Sequence, residues 1–197
     1  MSGDTASFFK SEFAAHLAVA RDTSETLFAD FHGLLKACAQ SVRNGGKILF
    51  FGNGGSASDS QHLATELTIR YTSNRLPIAA IALNTDSSAL TACGNDLGFD
   101  EIFARQVQAL GRKGDVAIGI STSGRSPNVL KGLRTSREIG MVPAAFGGKD
   151  GGELRSVADH VLVVRSNTIA RIQEMHITLG HVLCGALELE LGLVEPN

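Results

Sequence analysis

Apolar residues recur along this chain with two different periods, and the two alternate. Between residues 5 and 43 the spacing is helical: Ala14, Leu17 and Ala18 share a face, and Thr23 with Thr26-Leu27 opens a second run through Phe28, Phe31, Leu34-Leu35, Cys38 and Val42. Asn44-Gly45-Gly46 ends that run, as glycine does just past a helix. Lys47-Ile48-Leu49-Phe50-Phe51 is then continuously apolar, the pattern of a strand buried on both faces. Similar runs follow at Ile78–Leu83, Asp115–Ile120 and Val142–Phe146, with a weaker one at His160–Val164. Helical patterns separate them at Ala57–Tyr71, Leu97–Leu110 and Asn128–Ile139, and a long one, Thr168–Leu191, closes the chain. Strand alternating with helix predicts an α/β fold, a doubly wound parallel sheet covered on both faces.

The chain's 197 residues suit one domain. We expect residues 1–44 to form an N-terminal helical pair and residues 45–197 an α/β core, with no repeat or linker between them. An apolar helical pair ahead of a sheet serves as an oligomer interface or packs on its own sheet. The formal net charge of -2 offers no basic footprint for nucleic acid. No stretch approaches the ~20 apolar residues of a membrane span, and Met1-Ser2-Gly3-Asp4 lacks the basic start of a signal peptide. Cys38, Cys93 and Cys184 are far apart and form no CxxC, so a cytoplasmic protein without a disulfide framework is expected.

Glycine changes the picture by where it clusters. In a doubly wound sheet, ligands bind beyond the carboxyl ends of the strands, and two turns there carry unusual chemistry. The first is Gly52-Asn53-Gly54-Gly55-Ser56-Ala57, whose glycines permit close backbone approach and whose Ser56 falls where a helix N-cap would expose N–H groups to an anion. The second, Ser121-Thr122-Ser123-Gly124-Arg125-Ser126-Pro127, offers four hydroxyls in six residues, with Pro127 suited to a first helical turn. No Gly-Lys-Ser/Thr follows the glycines, which excludes a Walker A loop. Gly52-x-Gly54-x-x-Ala57 satisfies the relaxed dinucleotide pattern, although an acidic ribose partner about 20 residues on is missing: the next strand ends later, near Asn84-Thr85-Asp86. Plain helix-capping turns are the third reading. Two hydroxyl-rich turns after separate strands favour a phosphomonoester, whose tetrahedral dianion they can surround without a lysine.

The helix leaving the first turn carries His62 and Glu66, four apart and therefore on one face. Such a pair suits a metal ion, a catalytic base with its electrostatic partner, or simply a solvated face. The final helix carries Arg171-Ile172-Gln173-Glu174-Met175-His176-Ile177-Thr178-Leu179-Gly180-His181. Gln173 and His181 fall about 80° apart around it, on one side. His176 points elsewhere, toward packing or the surface, and Cys184 reads as core. Periodicity by itself does not bring the two helices together.

With these motifs in place, the chain resembles the phosphoheptose isomerase branch of the sugar-isomerase (SIS) domain proteins. The resemblance runs from about Gly45 to the end of the last helix. It rests on Gly-Asn-Gly-Gly-Ser at 52–56, Gln-His-x-x-x-Glu at 61–66, Gly-Asn-Asp at 94–96, Ser-Thr-Ser-Gly at 121–124, and Arg-Ile-Gln-Glu at 171–174 with His181. It implies a flavodoxin-like five-stranded parallel sheet and a homotetramer with shared active sites. Asn53, Gly54, Gly55, Ser56, Ser121, Thr122, Ser123 and Ser126 would hold the substrate, chiefly its phosphate, and Asn95 and Asp96 its hydroxyls, with Glu66 and Gln173 also at the sugar. His62, Glu66, Gln173 and His181 would ligate one zinc per subunit. Glu66 and His181 would be the catalytic pair that converts sedoheptulose 7-phosphate into an aldose through an enediol(ate). Some relatives carry an acid directly before Arg-Ile-Gln; here Ala170 stands there, so any role of that acid is absent or moved. A non-catalytic SIS protein, a phosphosugar sensor or an associate of a replication initiator, is the alternative the resemblance leaves.

Overall fold

The computed structural model describes residues 2–195, so the domain limits expected at residues 1 and 197 lie outside the described residues. Two helices, α1 (Ser2–Thr26) and α2 (Phe28–Arg43), precede the sheet. The rest runs β1 (Ile48–Gly52), α3 (Gly55–Thr68), β2 (Ala80–Ala82), α4 (Ser87–Asp96), a 3-10 turn (Phe99–Glu101), α5 (Ile102–Leu110), β3 (Val116–Ser121), α6 (Pro127–Glu138), β4 (Val142–Gly148), α7 (Leu154–Val157), β5 (His160–Val164) and α8 (Ile169–Glu190). All strands are parallel, in the order β2-β1-β3-β4-β5. This is the flavodoxin-like doubly wound sheet.

The apolar strand runs follow from two-sided burial. Ile48 and Phe50 of β1 enter one core with Val116, Ile118 and Phe146, beneath α2, α3 and α8. Leu49 and Phe51 enter the other with Ala117 and Ala145, beneath α5 and α6. Successive strand residues thus feed opposite cores, which requires apolar residues at every position. α2 belongs to the first core, through Phe31, Leu34, Leu35, Cys38 and Ala39. It therefore packs on its own sheet, while α1 leaves Phe8, Phe9, Phe13 and Leu17 exposed.

Several elements differ from expectation: β2 and α3 end earlier than their apolar runs, and the short α7 was not foreseen. α1 continues unbroken through Thr23, which is buried, and the break falls at Leu27 instead. α4 was not expected; none of its residues is fully buried, and Leu90 and Cys93, which pack partly against the second core, make too narrow a stripe to betray it. Asp86 starts it by accepting the Ala89 N–H at 2.9 Å. Gly98, at φ 101°, then separates α4 from α5, and the helix expected from Leu97 begins only at Ile102.

Candidate functional site

The chain leaves β1 toward β2 on one side and crosses to β3 on the other, so the ends of β1 and β3 flank the switch in strand order. The two hydroxyl-rich turns lie there. Gly54, at φ 58° and ψ −121°, is the residue preceding α3, a backbone conformation suited to glycine. Ser56 is consequently not the N-cap expected of it: it sits inside the first turn of α3 and is buried. Its carbonyl accepts the Ser60 hydroxyl at 2.7 Å. Asn84, at the end of β2, donates from its amide to the Gly52 carbonyl at 2.8 Å.

A pair of amides joins the turns. Asn53 Nδ2 donates to Asn128 Oδ1, and Asn128 Nδ2 donates back to Asn53 Oδ1, each at 2.9 Å. In the second turn the Ser121 and Ser126 hydroxyls are 3.0 Å apart, and the Gly124 N–H donates to Ser121 Oγ at 3.1 Å. The Arg125 N–H reaches Ser123 Oγ at 3.2 Å, and Thr122 is half-buried beside it. Ser126 precedes α6, whose first residue is Pro127, as the sequence suggested. Asn95 and Asp96 stand apart: exposed in the last turn of α4, they bond to each other (2.7 Å) and, among the described residues, to neither turn.

The second constellation forms where α3 meets α8. His62 Nε2 lies 2.8 Å from His181 Nε2 and 3.3 Å from Glu66 Oε1. One ligand atom from each of these three residues falls within 4.8 Å of the others. The contact depends on close helix packing, because a Cβ on Gly180 would lie 2.5 Å from the Leu63 side chain of α3. Two imidazole nitrogens and a carboxylate are ligands of zinc. Their spacing is near the about 3.3 Å edge of a tetrahedron built on ~2.0 Å bonds, so the donor set fits such an ion.

Gln173 is placed against the other end of α3: a Cβ on Gly55 would collide with its amide. Seven residues separate Gly55 from His62, about 10 Å along the helix, which puts the amide beside the first hydroxyl-rich turn. Cys184 is fully buried, and burial, then the Glu66 and Glu188 carboxylates, push its thiol up to about 12. It stays a neutral core thiol, as expected. His176 is also fully buried; burial pulls it down to about 4, against the Gly147 carbonyl that its Nε2 faces at 2.9 Å.

Asp59 escaped the sequence reading. It lies one turn before His62 on the same face of α3, and one of its oxygens is buried without a partner. Burial raises its carboxyl above the usual range, against the opposing pull of His62. The signal was its place in the Asp59-x-x-His62-x-x-x-Glu66 spacing.

The fold is a flavodoxin-like α/β domain with joined hydroxyl-rich turns at its switch point and, where α3 meets α8, a two-histidine, one-carboxylate cluster that could hold a metal ion. The SIS domain pattern matches residues 13–148. A curated phosphoheptose isomerase of Paramagnetospirillum magneticum is 55% identical over 93% of this chain and 95% of its own length. The solved phosphoheptose isomerase of Neisseria gonorrhoeae superposes with a TM-score of 0.88 at 41% identity, covering 93% of this chain and 98% of that one. That of Francisella tularensis gives 0.91 at 35% identity, covering 94% and 98%. The chain belongs to the SIS domain family, in its phosphoheptose isomerase branch.

Proposed function

We propose that this chain isomerises sedoheptulose 7-phosphate to D-glycero-D-manno-heptose 7-phosphate, the entry step to activated heptoses. The observation that carries the reading is the meeting of His62, Glu66 and His181 across α3 and α8, on the helix that leaves the first hydroxyl-rich turn. Relatives named phosphoheptose isomerase, one of them 55% identical over 93% of the chain, support the same reading over a non-catalytic one.

The ketose-to-aldose conversion moves one proton from C1 to C2 and one from O1 to O2. Glu66 removes the C1 proton and returns it to C2: Oε1 faces His62, which leaves the second oxygen for the carbon acid. His181 passes the O1 proton to O2. Ser56, Ser121, Thr122, Ser123 and Ser126, with the Asn53, Gly54 and Gly55 backbone, hold the phosphate, and Gln173, whose amide lies against Gly55, is assigned to the sugar. Asn95 and Asp96 are assigned to sugar hydroxyls. His62, Glu66 and His181 would hold one zinc per subunit, with Gln173 as a fourth ligand if its amide leaves Gly55. Bound there, zinc would supply Lewis-acid polarisation of the substrate oxygens.

The outer face of α1, with Phe8, Phe9, Phe13 and Leu17 exposed, supports assembly into a homotetramer that shares its sites. Beside it, Leu27, Phe28, Phe31, Met175, Leu179 and Val182 line an apolar groove. Three free cysteines fit a reducing cytoplasm, and no helix among the described residues is long and apolar enough to cross a membrane.

The test is turnover of five-, six- and seven-carbon ketose phosphates by protein stripped with chelator and reloaded with zinc. Turnover of the seven-carbon substrate, lost on stripping and restored on reloading, is expected. Absence of turnover by the loaded protein on all three would overturn the reading.

A further inference from the structure

Two charged residues outside every motif have buried side chains. Arg75, in the α3–β2 connection, and Glu188, near the end of α8, each keep 1% of their side-chain surface exposed. Arg75 Nε donates to Glu188 Oε1 at 2.7 Å. Three of the four remaining guanidinium N–H groups go to backbone carbonyls: Nη1 to Leu67 (2.7 Å) and Leu76 (3.1 Å), and Nη2 to Glu66 itself (2.8 Å). Leu67 and Glu66 lie in the last turn of α3, whose carbonyls have no intrahelical donor. Arg75 therefore caps the helix at the residue read as the base.

Glu188 makes the matching connection on α8. Its Oε1 also accepts the Tyr71 N–H at 3.3 Å. Held there, the Tyr71 ring stacks on the His181 imidazole, with centroids 5.6 Å apart and planes 29° from parallel. One buried ion pair thus touches both halves of the Glu66–His181 pair, one through a backbone carbonyl and the other through a stacked ring.

Stability is a poor explanation for such a pair, because desolvation offsets most of its attraction and apolar replacements are often as stable. Geometry is the better one. We propose that Arg75, Glu188 and Tyr71 are positioning residues that set the end of α3 against α8 so that His62, Glu66 and His181 converge. The inference rests on reading those three residues as the reacting centre. Groups that orient ligands in this way change metal affinity or activity by roughly 10- to 100-fold when altered.

The experiment compares Glu188→Gln, the double variant Arg75→Met with Glu188→Leu, Tyr71→Phe and Tyr71→Ala in the full-length protein. Zinc affinity is measured by competition with a chromogenic chelator, kcat and KM with sedoheptulose 7-phosphate, and folding by circular dichroism. Glu188→Gln and the double variant should lose roughly tenfold or more in both zinc affinity and kcat. KM should stay within about twofold, since the phosphate turns lie at the far end of α3 from Arg75 and beyond β3. Tyr71→Phe should keep what Tyr71→Ala loses. Folded Glu188→Gln protein with unchanged zinc affinity and kcat would overturn the proposal. Where the Glu188 variants do not fold, the Tyr71 pair decides: equal zinc affinity for Phe and Ala would overturn it. If wild-type protein binds zinc but isomerises nothing, the functional reading falls, and the affinity series still tests the positioning.

Discussion

His62 and His181, separated by 119 residues in the chain, bring their Nε2 atoms to 2.8 Å of each other across the α3–α8 contact. Neither histidine is remarkable on its own helix. Glu66 joins them from the next turn of α3, and the three become a set of donors only because the two helices pack closely.

That dependence predicts the effect of Gly180→Ala. The added methyl would meet Leu63, and overpacking of this kind costs about 1–3 kcal/mol. Pushing α8 from α3 should also part the histidines, so zinc affinity should fall by roughly tenfold or more, as for other disturbed ligand positions. Chelator competition measures the affinity and thermal unfolding the stability.

The phosphate turn predicts a different signature for Gly124→Ala. Gly124 sits at φ 64°, and a Cβ there would collide with the Gly151 carbonyl. Forcing an alanine into that conformation costs on the order of 1–3 kcal/mol, and the turn should shift. KM for the sugar phosphate should rise at least several-fold while zinc affinity stays at the wild-type value. Steady-state kinetics beside a metal titration separates the two effects.

Sequence and structure agree most where burial is two-sided and disagree where it is absent. The runs at Lys47–Phe51 and Val142–Phe146 are strands because both faces feed a core. α4 was invisible because only Leu90 and Cys93 pack, partly, against a core, and with it the setting of Asn95 and Asp96. Gly52–Ser56 and Ser121–Ser126 were legible as turns, since glycine and serine mark strand ends, but their joining through Asn53 and Asn128 is a tertiary fact. The His62–His181 contact spans α3 and α8, which no helical period relates; only the resemblance supplied it. Nothing in the sequence singled out Arg75 and Glu188, because burial of a paired ion leaves no mark there.

His176 makes stability depend on pH. Its usual value of 6.5 applies when the chain is unfolded, and burial lowers it to about 4 in the fold. The fold therefore holds the neutral ring, and its contribution is complete above about pH 6.5. Below that the unfolded chain takes up a proton that the fold does not, and stability falls until about pH 4. At ~1.4 kcal/mol per unit, the loss is on the order of 3 kcal/mol. Denaturant unfolding from pH 7 to 4 should show this slope, and His176→Phe should flatten it.

The most direct test of the central claim is the rate of sedoheptulose 7-phosphate isomerisation by zinc-loaded Glu66→Gln and His181→Gln, beside wild-type protein of equal circular dichroism. Both substitutions should abolish detectable conversion while the fold persists. Near-normal turnover by either folded variant would contradict the assignment of Glu66 and His181 as the pair that moves the protons.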